Sequence, residues 1–335
     1  MITLKVCPST LHPDYDSYCP TAIKSLFDSR KVSPFIDIDF ENEREQAVAR
    51  ENMNNMSISG AQEKFSAVID EGHIRLSRPD EQATYILRPA PFNYSLSTRK
   101  QIPANEHLTM QIASQVYGIL TAANGLCFSR KGQPVFITKR FDVKPDMSKY
   151  PMEDFASVLG MTEQGYGSDF KYDGCYAQIA DAIKEYVPAW VLAMEQFFCM
   201  VLFNYQYANE DAHMKNFSLI NRDGEYFLAP AYDLINTRIH LESSDLGLKG
   251  GLASDLEPSD VLDKTGHLCR LDFERFAARI GLPKKRANRI MDMFMEIPKE
   301  AYAMIDRSFL NDKMKRSYRR VIEQRNKWFV RHSAD

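Results

Sequence analysis

What this 335-residue chain lacks excludes several function classes. Its six cysteines, Cys7, Cys19, Cys127, Cys175, Cys199 and Cys269, include no Cys-x-x-Cys, which argues against a zinc knuckle or a disulfide framework and for reduced thiols. His12, His73, His240, His267 and His332 show neither His-x-x-x-His nor a cysteine partner, so zinc ligation is not expected. The longest apolar stretch, from Ala189 to Leu202, is broken by Glu195 and Gln196 and falls short of the roughly 20 residues of a bilayer span. The opening Met-Ile-Thr-Leu-Lys-Val-Cys-Pro has no basic segment followed by an apolar core, so a cytoplasmic protein without membrane partners is expected. Charge of one sign is also scarce, since 42 basic and 45 acidic side chains leave a formal net charge of -3. That gives no bulk reason for nucleic acid or an anionic surface as the main partner. No Walker A and no Gly-x-Gly-x-x-Gly occurs, and Gly165-Tyr166-Gly167 is too short for a dinucleotide fingerprint.

Hydrophobic residues make up 44% and charged residues 26%, as in ordinary globular proteins. Single cores stop growing at roughly 250 to 300 residues, so two lobes are expected. Residues 1–52, with Pro8, Pro13, Pro20 and Pro34, read as an N-terminal arm, with one short helix around 43–49. From Lys64 the pattern has period two: Phe65, Ala67 and Ile69 alternate with more polar positions, and Asp70-Glu71-Gly72-His73 turns into Ile74 to Ser77. A third strand, Thr84 to Arg88, ends at Pro89, because proline cannot donate to a ladder. Leu108, Ile112, Val116 and Ile119 mark an amphipathic helix starting near Asn105 and Glu106, and strands follow at 125–129 and 135–141. Helical patterns then cover 153–159, 177–186, 189–205, 272–280, 284–296 and 312–330, interrupted by a hairpin from Phe217 to Leu228 turning at Asp223-Gly224. The expected class is α+β: a β-rich lobe over 53–150 and a helical lobe over 151–335.

The richest chemistry follows the apolar helix through Trp190, Phe197, Phe198 and Tyr205, which delivers Asn209-Glu210-Asp211-Ala212-His213-Met214-Lys215-Asn216-Phe217. In protein kinases an Asp accepts the substrate hydroxyl proton and an Asn five residues later binds magnesium; Asp211 and Asn216 have that spacing. Sixteen residues after Asn216 comes Tyr232-Asp233-Leu234, beyond a hairpin, where kinases carry a second magnesium-binding Asp. One carboxylate, one amide oxygen and nucleotide phosphates suffice for a hard ion that keeps several waters. The plainer alternative is a pair of capped turns.

Seven segments in order resemble the HipA family of bacterial serine/threonine kinases, toxins of type II toxin-antitoxin modules. They are Ser57-Ile-Ser-Gly-Ala-Gln-Glu-Lys64, Tyr85-Ile-Leu-Arg-Pro89, Asn105-Glu-His107, Lys139-Arg-Phe-Asp142, Glu153-Asp154, Asn209 to Ser218, and Pro230-Ala-Tyr-Asp233. The resemblance runs from about residue 53 to the C-terminus, and what precedes it is similar to the short, HipT-like branch without the extra N-terminal subdomain. It implies a two-lobed protein-kinase-like fold with ATP in the cleft between lobes. Asp211 would be the catalytic base, with His213 and Lys215 as neighbours shaping the site, and Asn216 and Asp233 would hold Mg2+. Arg88 would contact the phosphates where family members usually carry Lys, oriented by Glu106. Lys139, Arg140 and Phe141 would form the hinge on the adenine, and Asp154 would edge the site. Ser57, Ser59 and Gly60 would form the phosphate loop, with Ser57 and Ser59 as inhibitory autophosphorylation sites, because added negative charge beside ATP repels it. The implied substrate is an aminoacyl-tRNA synthetase. The implied partners are a helix-turn-helix antitoxin, through which DNA is reached indirectly, and a small HipS-like protein.

Two other classes remain open: a nucleotide-binding pseudokinase, suggested by Arg88, and an antitoxin-linked DNA-associated module, suggested by the basic helices at 284–289 and 312–331. For those helices a solvated basic face over a docked apolar stripe is the plainer reading.

Overall fold

A computed structural model describes residues 3–42, 63–92, 96–241 and 244–331. Ser57, Ser59, Gly60 and the expected helix around 43–49 lie outside the described residues. The chain divides into two compact units. One takes the chain to Ile112 with Ala122–Ser148 and Ala303–Lys315; the other takes Ala113–Thr121, Lys149–Tyr302 and the C-terminal residues from Arg316.

The first unit is built on an antiparallel five-stranded sheet of order β2-β1-β3-β5-β4, formed by β1 (Phe65–Asp70), β2 (His73–Leu76), β3 (Tyr85–Arg88), β4 (Asn124–Phe128) and β5 (Pro134–Lys139). Asp70 pairs with His73 across a two-residue turn whose Glu71 and Gly72 both have positive φ, 45° and 78°, the twist that suits a tight hairpin. Along β3, Tyr85 and Leu87 point into the core, so Ile86 and Arg88 fall on the opposite face. The segment expected as an arm is part of this core. Helix α1 (Pro20–Phe27) starts with proline at its first turn, where the missing N–H costs nothing, and ends at Asp28 in the left-handed region. It buries Ala22, Leu26 and Phe27; the Phe27 ring lies 4.6 Å from Tyr18 and 5.9 Å from Tyr85. Tyr18 donates to Leu126 O at 2.7 Å and Tyr85 to Leu26 O at 2.9 Å, so both phenols keep a partner inside the core.

Helix α2 (Ile102–Gln115) begins three residues before the expected start, and instead of one apolar stripe it is buried continuously from 103 to 113. Its polar side chains are engaged. Gln111 donates to Asn124 Oδ1 at 2.8 Å, Thr109 to Asn105 O at 2.9 Å, and His107 Nε2 to Ser9 O at 2.6 Å. Buried polar groups are tolerated only with such partners.

The second unit is mostly helical. Residues 153–159, expected as one helix, instead form strand β6 (Met152–Asp154) and a single helical turn, α3 (Phe155–Val158). Asp154 is the switch: its Oδ1 accepts Ser157 N at 2.9 Å, capping the turn and ending the strand. β6 pairs with β7 (Ser218–Arg222), which pairs with β8 (Glu225–Leu228) through Asp223-Gly224. After the short α4 (Glu163–Tyr166), α5 (Tyr176–Tyr186) and α6 (Trp190–Gln206) pack together, with Phe197, Phe217 and Tyr176 meeting edge-on or tilted at 5.5 to 6.4 Å. Three helices then follow, α7 (Asp260–Thr265), α8 (Arg270–Arg279) and α9 (Lys284–Asp292); α10 (Lys299–Arg307) and α11 (Asp312–Phe329) are divided between the two units, after Tyr302 and after Lys315. The periodicity gave no sign of α1, α7 or α10. α9 ends four residues before the expected limit. The six cysteines are unpaired and buried. Among the described residues no helix is long and apolar enough to cross a membrane.

Burial pushes His107 down to about 4, against only the Ser9 hydrogen bond. Between about 6.5 and 4 the unfolded chain therefore binds the proton and the folded chain does not, so stability falls as pH is lowered through that window. The expected loss is up to about 3 kcal/mol by pH 4. Urea unfolding at pH 7 and pH 4.5 checks this, and His107→Gln should lose visibly less on acidification than wild type.

Candidate active site

α6 is buried without a break from Phe197 to Gln206, so it is fixed in the core and hands over a polar loop at a defined place. The chain leaves it through Ala208, a non-glycine residue at φ 50°. Asn209 caps this bend: its N donates to Asn204 O at 2.8 Å, and its Nδ2 reaches Asn204 Oδ1 at 3.0 Å and Asp233 O at 3.3 Å. Thr237 Oγ1 donates to Ala208 O at 3.0 Å and accepts Glu210 N at 2.9 Å. The Glu210 side chain is 0% exposed; its Oε1 accepts Arg325 Nη2 at 2.6 Å and Arg238 Nη1 at 3.2 Å. Burial raises its pKa, while the two guanidinium groups pull it back down. Arg325, on α11, is 5% exposed and also pairs with Asp245, which in turn holds His267 Nδ1 at 2.8 Å. That arginine belongs to the expected solvated basic face, and here it is an internal ion-pair partner.

Asp211 is exposed, its Oδ1 accepting the Tyr172 hydroxyl at 2.7 Å. Ala212 is pinned from two sides, since Tyr176 donates to its carbonyl at 2.7 Å and Gly247 is so close that a Cβ there would meet Ala212 N at 2.6 Å. His213 is buried and pushed down to about 4, mainly by desolvation, so it is neutral near pH 7. Its backbone N donates to Asp211 O at 2.8 Å and to Asn216 Oδ1 at 3.1 Å, tying the two ends of the motif together. Asn216 Nδ2 lies 3.4 Å from Asp233 Oδ2, and Asp233 sits in the left-handed region at φ 56°. A non-glycine residue held there stores strain, which is commonest at functional sites. Lys215 Nζ meets Asp154 Oδ2 at 2.7 Å, and its carbonyl accepts the Tyr232 hydroxyl at 2.9 Å. Thus Asp154, Asp211, His213, Lys215, Asn216 and Asp233 gather around one loop of the second unit.

In the first unit Arg88 Nη1 meets Glu106 Oε1 at 2.7 Å, with side chains 12% and 1% exposed. The strand-end cations are engaged too: Lys139 pairs with Asp28, and Arg140 holds Asp142 bidentately at 3.0 and 2.5 Å. The backbone N–H groups of Lys139 and Arg140 donate to Ala123 O and Thr84 O at 2.8 and 2.9 Å. Phe141 is half-buried beside them.

Among the described residues no three His, Cys, Asp or Glu side chains cluster in a way that would hold a metal by themselves. The Asn216–Asp233 pair nevertheless fits magnesium, whose hard-oxygen preference is met by one carboxylate and one amide when phosphates and water complete the shell. Because Asn216 Oδ1 faces His213 N and Nδ2 faces Asp233, presenting oxygen to an ion there requires the amide to turn over.

Residue patterns alone missed Tyr172, Gly247 and the role of Arg325. Their partners are 39, 35 and 115 positions away in sequence, so no local spacing signals them.

The family model described as the HipA-like C-terminal domain matches residues 56–301. A Haemophilus influenzae protein named "Putative kinase" is 27% identical over 282 residues, covering 80% of this chain and 79% of that protein. "Putative kinase Y4dM" of Sinorhizobium fredii is 31% identical over 233 residues; the match covers 64% of this chain and about half (53%) of that protein. Among solved structures, the Shewanella oneidensis MR-1 HipA toxin, captured with HipB and its operator DNA, superposes with a TM-score of 0.65 at 18% identity. It covers 88% of this chain and 71% of that one, a likeness of fold.

Removing Arg325 leaves the buried carboxylate of Glu210, one residue before Asp211, with Arg238 alone and takes the same arginine from Asp245. Arg325→Met is expected to cost about 3–5 kcal/mol, the usual penalty for breaking a buried ion pair from one side. Chemical denaturation checks it, and adding Glu210→Gln should return part of the loss.

Proposed function

The chain belongs to the HipA-like C-terminal domain family, and on that premise we propose that it is an ATP- and Mg2+-dependent protein serine/threonine kinase. The observation that carries this reading is the loop of the second unit on which an exposed Asp211 stands beside the Asn216–Asp233 pair. Asp211 accepts the proton of the attacking hydroxyl as the new ester bond to the γ-phosphorus forms, the bond to the β-γ bridging oxygen breaks, and ADP departs. Neutral His213 adds no positive charge to compete for that carboxylate. Lys215 is neutralised by Asp154 and holds the loop rather than the phosphates. Asn216 and Asp233 would hold magnesium, which when bound offsets phosphate charge. Arg88, aimed by Glu106, contacts the α- and β-phosphates; as a planar fork it binds phosphate well, but places charge differently from the usual lysine. With their side chains and N–H groups spent within the first unit, Lys139 and Arg140 serve the adenine only through remaining main-chain groups, and Phe141 supplies the apolar contact.

Ser57, Ser59 and Gly60 form the phosphate loop in this reading, and phosphorylation of either serine shuts the enzyme off. The biological role is that of a toxin that phosphorylates an aminoacyl-tRNA synthetase, restrained by a helix-turn-helix antitoxin and possessing a small HipS-like partner. The structural neighbour solved with HipB and operator DNA supports an antitoxin partner and indirect DNA association. A second reading, a pseudokinase that binds nucleotide without transfer, is favoured by Arg88 alone.

Incubation with γ-labelled ATP and magnesium distinguishes the two. Wild type is expected to label itself on Ser57 or Ser59. Asp211→Ala should lose at least about a hundredfold in rate, the usual size of a general-base contribution, and Asp233→Asn, which removes the carboxylate of the magnesium pair, should raise the magnesium concentration needed for half-maximal rate. Nucleotide binding without any label in wild type would leave the pseudokinase.

A further inference from the structure

Tyr172 lies on none of the motifs, yet among the described residues it makes the one direct side-chain hydrogen bond to Asp211. We propose that Tyr172 is the positioning residue of the base, fixing the Asp211 carboxylate so that Oδ2 faces the incoming hydroxyl. This rests on the reading of Asp211 as the base. The geometry has two parts. First, the hydroxyl donates to Oδ1 only, at 2.7 Å, and no described residue holds Oδ2 of this exposed carboxylate. A carboxylate anchored by one oxygen keeps a defined orientation while the other stays available, which is what a base must offer before proton transfer.

Second, the tyrosine is not placed by chance. Its carbonyl accepts Lys249 N at 2.9 Å, Lys249 Nζ holds the next residue, Asp173, at 2.7 Å, and Gly250 N donates to Gly174 O at 2.8 Å. Tyr176 N and Ala177 N continue the seam onto Gly251 O and Leu252 O at 3.1 and 2.9 Å. The same 247–252 strip presses on the other partner, because Gly247 abuts the backbone of Ala212, next to Asp211. One strip therefore sets the distance between the tyrosine and the carboxylate. The ring is fixed as well, edge-on to His213 at 5.2 Å and with Lys171 Nζ 4.9 Å from its centroid. Burial and Asp211 both raise the phenol's pKa, so the hydroxyl stays a donor across the working range of pH.

Tyr172→Phe removes the hydroxyl and keeps the ring. Steady-state phosphate release from MgATP, with water as acceptor, should show kcat lowered about tenfold, the worth of a hydrogen bond to a charged group. The KM for ATP should stay within twofold of wild type, and the melting temperature should not move. An unchanged kcat would overturn the proposal. A raised kcat would also overturn it, showing that the hydroxyl blocks the base instead. A joint change in KM and melting temperature would mean a merely structural role and would equally defeat it; Tyr172→Leu, which deletes the ring, supplies the benchmark for such damage. Asp211→Ala is run alongside: if it turns over like wild type, the base assignment itself fails, whereas an inactive Asp211→Ala with an unaffected Tyr172→Phe refutes only the role of Tyr172.

Discussion

The buried carboxylate of Glu210 is the constraint around which the second unit is arranged. A carboxylate taken out of water needs compensation of several kcal/mol, and it comes from Arg325 on the last helix and Arg238 beyond the hairpin. Arg325 in turn needs Asp245, and Asp245 holds His267, which stacks on Trp328 at 4.6 Å. Segments from four separate stretches of chain are thereby bound to the residue immediately before Asp211. The loop cannot shift without breaking a charge pair, so Asp211 projects to solvent from a base that is itself rigid. Apolar packing alone would hold α6 but would leave the backbone beyond it free to pivot.

A second feature of the loop is stored strain. Ala208 and Asp233 both occupy the left-handed region, where a residue with a Cβ pays on the order of 1–3 kcal/mol. The compensations sit beside them. Thr237 engages the Ala208 carbonyl, and Asn209 donates both to the α6 terminus and to the Asp233 carbonyl. Asn209 is thus the link between the two strained positions. Asp233 is turned toward Asn216 by the same bend that costs energy, so the conformational penalty and the juxtaposition of the two oxygen-bearing side chains have one cause.

In the β-rich unit the positive charges near β3 and β5 are already committed. Lys139 and Arg140 are matched to Asp28 and Asp142, one of them at the end of α1, so the first residues of the chain help define the electrostatics of the strand end. Arg88 is held by Glu106 on the continuously buried helix α2. A guanidinium is a planar, rigid fork, so pairing one of its nitrogens with a buried carboxylate sets the direction of the whole group.

The sequence by itself determined the α+β class, the strands around the Asp70–His73 turn, the Phe217–Leu228 hairpin and the polar loop after α6. Each is encoded locally, by period-two alternation, by turn residues needing positive φ, or by an apolar run ending in acids. It also carried the motif order that resembles the HipA family, the family to which the chain belongs. Local patterns were silent or misleading where the fold answers to distant residues. The spaced prolines of the first segment suggested a loose arm, but Tyr18, Leu26 and Phe27 find their core only against Tyr85 and Leu126. The basic stripe of α11 suggested a wet face, because nothing near Arg325 announces that Glu210 and Asp245 lie against it. Tertiary structure alone decided these, along with the contact of Tyr172 with Asp211, since a buried charge or a hydroxyl takes whichever partner packing brings, and packing joins positions far apart in sequence.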